Sequence, residues 1–163
     1  MKKKSSKKSI LDLIDEDMKT TKVYANFILM SHDKKKLLIL HRANYMKNFG
    51  GCWGFPGGTV DKNDKSPMHG AIRELAEETG IVLTANEIQS IKKYESIKNE
   101  DGSLSEYYMT CCEREDIADY NIKLSGEHST YEWYNQSSKR KHSKWMPDVF
   151  KMIQKLLNFQ VGV

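Results

Sequence analysis

Cysteine and proline are scarce in this chain of 163 residues, which has three of each and no long apolar run. Cys52, Cys111 and Cys112 are odd in number and form no CxxC pair, which argues against a disulfide framework and a structural zinc site. This pattern fits the reducing cytoplasm, where we expect the protein to reside. Because a membrane helix needs about 20 apolar residues, the short runs predict no transmembrane segment and no membrane partner.

A large excess of charge of one sign is also missing. Twenty-six Lys and Arg residues face 22 Asp and Glu residues, which leaves a formal net charge of +4. The surplus gathers in two clusters, one in residues 2–8 and one in residues 139–144. Because neither cluster alternates basic with aromatic side chains, a solvated tail and a charged loop are favoured over a nucleic-acid surface.

The length of the chain predicts one packed domain rather than two. Residues 1–8 are predicted to be a disordered basic leader, and residues 9–163 are predicted to form the single domain. Apolar residues set among acids predict a short amphipathic helix over residues 9–18. The basic opening is similar to that of a secretory signal, but acids interrupt the apolar stretch and argue against export.

Several β-rich segments predict a sheet. The runs Lys22–Met30 and Lys36–His41 flank a turn-forming segment, so they are expected to pair as an antiparallel hairpin. Four further segments carry β-branched or aromatic residues and are expected to be strands, namely residues 81–83, 88–96, 106–112 and 131–134.

Two segments predict helices, which makes the expected fold class α+β. Pro67–Thr79 has a helical pattern, with Ser66 as N-cap, Pro67 as the first helical residue and Gly80 as the terminator. A second helix is expected over residues 145–159. Its apolar side chains share one face, formed by Val149, Ile153, Leu156 and Leu157.

The run AIRELAEETG, residues 71–80, arranges side chains on two faces of its helix. One face is apolar, while Glu74, Glu77 and Glu78 fall at i, i+3 and i+4 on another. Three like charges within so short a span repel one another, so a positive partner is expected. Mg²⁺ prefers carboxylate oxygens, and Arg73 can reach Glu77 four residues further on.

These acids have a competing interpretation, because glutamates are good helix formers and paired glutamates are common on solvated helix faces. The helix alone supports both interpretations equally. The glycine-rich run NFGGCWGFPGGT, residues 48–59, lies upstream and favours the metal site. Exposed backbone in its PGG turn can bring a carbonyl oxygen to a metal and N–H groups to a phosphate.

Residues Gly58–Ile81 resemble the Nudix box GX5EX7REUXEEXGU, in which U is a bulky aliphatic residue. Arg73–Ile81 matches the REUXEEXGU half without a gap. Upstream, WGFPGG at Trp53–Gly58 is similar to the lead-in of many members, and EHSTYEW at Glu127–Trp133 resembles the stretch that precedes a family strand. The resemblance implies a Nudix-type α/β/α sandwich with a central mixed sheet.

The box departs from the family pattern at its first glutamate. Counted forward from Gly58, this position falls on Asp64, whereas counted backward from Arg73 it falls on Lys65, because the loop is one residue longer. In the family this glutamate usually supports the site rather than forming its metal-binding core. Either Asp64 substitutes for it or the support is absent.

The resemblance also implies a set of metal ligands and catalytic residues. Glu74, Glu77, Glu78 and the carbonyl of Gly57 would bind Mg²⁺ or Mn²⁺ that bridges a diphosphate. Such an ion neutralises the phosphate oxygens and lowers the pKa of a water molecule, so that hydroxide attacks phosphorus in line. Glu77 is a catalytic candidate in this interpretation, and so is Arg73, which would hold the Glu77 side chain in place.

Removal of a proton from the attacking water requires a carboxylate close to the metal. Members of the family use either a glutamate of the box or one from a later loop. Glu127 matches that later-loop position, and His128 beside it is a second candidate. An ordinary role in a surface loop is the competing interpretation for both residues.

Recognition of the base or sugar must come from outside the box. Arg42 and the backbone of Gly58 are candidate phosphate contacts. Trp53 and Trp133 are expected to pack under the helix, and a role in the core competes with substrate binding for every aromatic candidate. The aromatic side chains that could stack on a base are Phe55, Tyr107, Tyr108 and Trp133.

The function implied first is hydrolysis of a nucleoside triphosphate to its monophosphate and pyrophosphate. The same acids suit dinucleoside polyphosphates, ADP-ribose and nucleotide sugars. A nucleic-acid partner is not expected, apart from the cap of RNA, which the basic ends favour. The alternative of another class is a catalytically silent Nudix domain that binds a nucleotide. Many relatives are homodimers, so the predicted N-terminal helix is a candidate for pairing.

Overall fold

The computed structural model describes residues 9–10, 21–137 and 142–158. The predicted leader, residues 1–8, lies outside this part of the chain. So do most of the helix predicted for residues 9–18 and the basic residues 139–141.

Seven strands and three helices make up the elements used below. The strands are β1 (Val23–Met30), β2 (Leu37–Arg42), β3 (Trp53–Gly54), β4 (Gly57–Thr59), β5 (Lys92–Lys98), β6 (Leu104–Cys111) and β7 (His128–Tyr134). The helices are α1 (Pro67–Thr79), α2 (Ala85–Gln89) and α3 (Val149–Asn158), with a 3₁₀ turn at Ile117–Asp119. Within the described residues, no helix is long and apolar enough to cross a bilayer.

The strands form one mixed sheet in the order β3-β2-β1-β6-β5, and β4 and β7 add to β1 and β2 respectively. β1 and β6 are parallel, while β1 and β2 pair in the antiparallel sense predicted for the hairpin. The predicted α+β class and the sandwich around a central mixed sheet are therefore confirmed.

Alternate residues of the central strands enter two separate cores. In β1, Phe27 packs on the face that α1 covers, and Ile28 packs on the face that α3 covers. In β2, Leu38 and Ile39 divide in the same way. Because successive side chains of a strand point to opposite faces, a strand buried on both sides reads as one continuous apolar run.

Helix α1 begins and ends as local rules predict. The Ser66 hydroxyl accepts a hydrogen bond from the backbone N–H of His69, and Pro67 occupies the first turn. Gly80 has a φ of 75°, which is the left-handed conformation that terminates helices, and its N–H donates to the carbonyl of Ala76. These caps fix the ends of the helix that carries the three acids.

The strand predicted for residues 81–83 is wrong. This segment is irregular, and Ile81 and Leu83 fill the core under α1 without pairing with a strand. The strand predicted for residues 88–96 begins only at Lys92, because the preceding residues form α2. Thr84 and Glu87 make a reciprocal capping box that starts this helix, and local capping therefore overrides the β-propensity of the segment.

Helix α3 starts later than the residue 145 predicted for it. The left-handed backbone of Asp148, with φ of 67°, delays its start to Val149. The predicted apolar face is buried as expected, together with Met152. Trp53 does not pack under α1, since it lies on the α3 side of the sheet with its ring 4.1 Å from that of His142.

Leu75 of α1 is fully buried against the sheet, whereas Val82 just beyond the helix is 82% exposed. We expect Leu75→Ala to lower the free energy of unfolding by about 2–5 kcal/mol, because it removes buried methyl groups and leaves a cavity. Val82→Ala is the matched control and should change it by less than about 0.5 kcal/mol. Urea denaturation followed by circular dichroism measures both, and equal losses would contradict this packing.

Candidate active site

The three glutamates of α1 face an open cleft of 1510 Å³. The side chains of Glu74 and Glu78 are 16% and 5% exposed, whereas that of Glu77 is 57% exposed. The backbone N–H of Gly57 donates to both carboxylate oxygens of Glu78, at 3.3 and 3.4 Å. Glu74 and Glu78 therefore converge on the PGG backbone, whereas Glu77 remains largely exposed beside Arg73.

Pairing of β4 with β1 brings the glycines into contact with the acids. Gly57 lies opposite Asn26, and Gly58 lies opposite Ala25. A Cβ on Gly57 would be 2.7 Å from the Ala25 carbonyl oxygen, and a Cβ on Gly58 would be 2.5 Å from Oε1 of Glu74. The neighbours of Gly57 include backbone atoms, so a side chain does not fit there, whereas a Cβ at position 58 would force the Glu74 carboxylate to move.

Burial and the charge of neighbouring Glu74 together raise the pKa of Glu78 to about 9. Burial also raises the pKa of Glu74. Two buried carboxylates side by side cannot both be charged without a compensating cation. Near neutral pH, Glu78 therefore holds a proton that it donates to Glu74.

The donors present fit a hard divalent ion. Across residues 9–10, 21–137 and 142–158, no three acidic, histidine or cysteine side chains lie close enough to hold a metal by themselves. Glu74 and Glu78 supply carboxylate oxygens beside the backbone of Gly57, while Glu77 points toward Arg73. Two carboxylates suffice for Mg²⁺, which keeps several waters and takes phosphate oxygens from its substrate.

Arg73 links α1 to the loop before it. Its Nε and Nη2 donate to the two carboxylate oxygens of Asp64, at 2.9 and 3.0 Å. Its Nη1 lies 3.1 Å from carboxylate oxygens of both Glu74 and Glu77, and Nη2 also donates to the Thr59 carbonyl. The predicted contact of Arg73 with Glu77 is thus one part of a larger network.

This network bears on the ambiguity at the first glutamate of the box. The Asp64 side chain is 7% exposed, and its hydrogen bonds from Arg73 lower its pKa. Lys65 is exposed. A planar guanidinium held by two parallel hydrogen bonds has a fixed orientation, so Asp64 orients the group that holds Glu74 and Glu77.

Glu127 and His128 lie at the same cleft. His128 is 8% exposed, and its Nε2 is 3.6 Å from Oε2 of Glu78. Burial, together with the charges of Arg42 and His41, lowers the pKa of His128 to about 4. A neutral imidazole therefore faces the glutamate pair near neutral pH.

A family model described as NUDIX domain matches residues 21–156, which is most of the chain. The chain belongs to the Nudix family. The family predicted from the box is thereby confirmed.

The chain is similar to the m7GpppN-mRNA hydrolase NUDT17 of Danio rerio, with 38% identity over 63 residues. These residues are 39% of this chain and 21% of that curated relative, so the chain matches only a small part of its length.

Solved structures share the fold. The NUDIX domain of Shewanella oneidensis NrtR complexed with ADP ribose has a TM-score of 0.65 at 20% identity, covering 91% of this chain and 96% of that one. A bifunctional NMN adenylyltransferase/ADP ribose pyrophosphatase from Francisella tularensis, complexed with AMP and a Mn ion, has a TM-score of 0.64 at 17% identity. The match covers 90% of this chain and 46% of that one.

Four of the predicted substrate contacts line the cleft of this Nudix domain, namely Arg42, Phe55, Gly58 and Tyr107. Nε of Arg42 donates to the carbonyl of Asn48 at 2.9 Å. The rings of Phe55 and Tyr107 meet edge to face at 6.3 Å, and burial raises the pKa of Tyr107 to about 12.

Trp133 and Tyr108 do not line this cleft. Trp133 packs on the α1 side of the sheet, with its ring 6.3 Å from that of Tyr120, as expected for a residue under the helix. The Tyr108 hydroxyl donates to Glu106 at 2.5 Å. The structure thus places both residues in the scaffold of the Nudix domain.

The cleft also contains residues that the sequence did not single out. Lys22 and Lys98 bring positive charge to it, and Asn26 lies beside the glycines. Pairing of β1 with β6 and of β6 with β5 brings these segments together, and Nδ2 of Asn26 donates to the carbonyl of Glu106, 80 positions further on. The β-rich runs indicated that these strands exist, but nothing local indicated which of them are neighbours.

Replacing Glu78 tests the buried carboxyl pair. Because Glu78 has a higher pKa in the folded state, its protonated form stabilises the fold. This contribution is complete below about pH 4.5 and is lost as the pH rises through about 9. Glu78→Gln keeps the shape without the titration, so without metal at about pH 8 its Tm should exceed that of the wild type by about 2–4 °C. Differential scanning fluorimetry should show this gap shrinking toward pH 5.

Magnesium should raise the Tm of the wild type in the same assay, because a ligand that binds the folded state stabilises it. We expect Glu78→Gln to lose most of this rise. Exposed Glu115 supplies the control, since Glu115→Gln should respond as the wild type does. An unchanged magnesium response in Glu78→Gln would argue against a metal at this pair.

Adjacent substitutions test the support of Arg73. Asp64→Asn removes the charge that orients Arg73, so we expect affinity for Mn²⁺ to fall about tenfold in isothermal titration calorimetry. Lys65→Gln, one residue away, should change it by less than about twofold. The reverse pattern would show that Lys65 occupies the supporting position.

Proposed function

We propose that this chain hydrolyses a phosphoanhydride bond in a nucleoside diphosphate linked to another moiety, with Mg²⁺ or Mn²⁺ as cofactor. The preferred reaction is conversion of a nucleoside triphosphate to its monophosphate and pyrophosphate. The observation that carries the proposal is the buried carboxyl pair of Glu74 and Glu78 beside the backbone of Gly57. Membership of the Nudix family supports it.

The residues that would hold the metal are Glu74, Glu77 and Glu78, together with the carbonyl of Gly57. When bound there, a divalent ion neutralises the diphosphate oxygens and acidifies water. The Francisella tularensis relative contains a Mn ion, which supports a divalent ion in this chain as well. Arg73 and Asp64 keep the glutamates in place.

Hydrolysis forms a bond between the water oxygen and phosphorus and breaks the bond to the leaving phosphate, while a carboxylate takes the proton of the water. Glu77 and Glu127 both line the cleft and are the candidates for this base. Glu77 receives one hydrogen bond from Arg73, which would hold it in place. Arg42 and the N–H of Gly58 are proposed to bind phosphate oxygens at the same cleft.

Two related substrates are supported by the comparisons. The Shewanella oneidensis domain was crystallised with ADP ribose, and the Danio rerio relative acts on capped mRNA. Both molecules contain a nucleoside diphosphate group, so the same acids suit them. Lys22 and Lys98 give the cleft positive charge for the additional phosphates of a cap.

A silent nucleotide-binding domain is the alternative of another class. A nucleotide binder has little need for a glutamate that lies outside the buried pair and yet lines the cleft, as Glu77 does. Intact Glu77 therefore favours the enzyme.

Turnover of a nucleotide panel tests the function. The panel contains the four ribonucleoside triphosphates, ADP-ribose, diadenosine tetraphosphate and a capped dinucleotide, each with MgCl₂ or MnCl₂. We expect release of a monophosphate that EDTA abolishes. Glu77→Gln should lower kcat by at least about a hundredfold, because it removes a charged group at the reacting centre.

The control for this substitution is Glu115→Gln, which changes an exposed acid outside the cleft and should keep full activity. Comparison with Glu127→Gln identifies the base. Of Glu77→Gln and Glu127→Gln, only the substitution that removes the base should abolish the rise of kcat with pH. Tight nucleotide binding without turnover in either metal would support the silent domain and contradict hydrolysis.

A further inference from the structure

The loop between β2 and β3, residues 43–52, lies at the mouth of the cleft beside the acids. Tyr45 and Phe49 both line the cleft. The Tyr45 hydroxyl donates to the carbonyl of Gly126, next to the candidate base Glu127. The backbone N–H of Ala43 donates to the Glu127 carbonyl at 2.9 Å. The loop and the segment that carries Glu127 therefore form one wall.

Internal hydrogen bonds hold this loop in shape. The N–H of Met46 donates to the Ala43 carbonyl, and the N–H of Cys52 donates to the Phe49 carbonyl, both at 3.1 Å. A Cβ on Gly50 would be 2.6 Å from the carbonyl oxygen of Met46, so the backbone is closely packed there. The aromatic side chains project from a tightly folded backbone.

Two features of Tyr45 and Phe49 lower the stability of the folded protein. Tyr45 is 73% exposed and Phe49 is 51% exposed, which leaves apolar ring surface in water. Phe49 also has a φ of 58°, a conformation that costs free energy for a residue with a large side chain. Of the three such non-glycine residues in the described ranges, Lys34 lies in the β1–β2 turn, whereas Phe49 and Asp148 line the cleft.

We propose that Tyr45 and Phe49 form an aromatic platform that binds the nucleobase of the substrate. This inference rests on the proposed function, since the buried acids would hold the diphosphate to which the base is attached. Covering the two rings with a flat base removes apolar surface from water and adds stacking. Both rings line the same cleft as the acids, which favours a group of the substrate over a separate protein partner.

The platform differs from the earlier candidates in its exposure. Phe55 and Tyr107 are buried against the α3 core and are only 6% and 5% exposed, so they offer little free ring surface. Stacking accepts every base, because each has a flat π face. The platform therefore recognises the presence of a base and discriminates weakly among bases.

The test compares two probes that resist hydrolysis in the presence of MgCl₂. One is α,β-methylene ATP. The other is methylenebisphosphonate, which has two phosphonate groups but no nucleoside and therefore no base. The double variant Tyr45→Ala/Phe49→Gly removes both rings, and glycine tolerates the backbone at position 49. The control is Tyr131→Ala, which removes a 40% exposed ring outside the cleft. Isothermal titration calorimetry measures the affinities, and thermal melting confirms folding.

We expect the double variant to bind α,β-methylene ATP at least about tenfold more weakly, while its affinity for methylenebisphosphonate changes less than about twofold. Unchanged affinity for the nucleotide would overturn the platform and leave the proposed function standing. Equal losses for both probes would also overturn it, because the loop would then act through the metal site. If the wild type bound neither probe, the proposed function would fail, and the platform with it.

Discussion

The contact between the buried carboxyl of Glu78 and the backbone of Gly57 is the constraint on which the rest of the site depends. It requires β4 to pair with β1 and requires α1 to lie close over both strands. It also requires glycine at position 57, where backbone atoms leave no room for a Cβ, and glycine at position 58 leaves the space that the Glu74 carboxylate occupies. The glycine-rich turn and the acidic helix are therefore one unit, although eight or more residues separate them in sequence.

The parts of this unit that could be predicted are those governed by local rules. Helix α1 begins after Ser66 and ends before Gly80 as its capping residues indicate, and the spacing of its acids places them on the side that faces the cleft. The β-rich runs Lys22–Met30 and Lys36–His41 predicted the paired strands β1 and β2. The glycine-rich run upstream of the helix favoured a shared metal site, and the resemblance to the Nudix box implied the same connection.

The parts that could not be predicted depend on contacts between distant segments. Counting along the box could not choose between Asp64 and Lys65, because the choice depends on which side chain reaches Arg73 in space. The parallel pairing of β1 with β6, which together with the pairing of β5 with β6 brings Lys22 and Lys98 to the cleft, has no local signature. By contrast, the Thr84–Glu87 capping box has a local signature in the sequence, which competes there with β-propensity.

Strand β1 limits how this protein can vary. Side chains of its successive residues pack into two different cores, and its first half pairs with the glycines of β4. Insertion or deletion of one residue there would turn every following side chain to the opposite face and displace the glycines at the same time. Changes of length are therefore tolerated only in the connecting loops, such as residues 43–52 and the β5–β6 turn. Descendants of this chain could acquire new substrates through those loops while the framework that holds the acids stays unchanged.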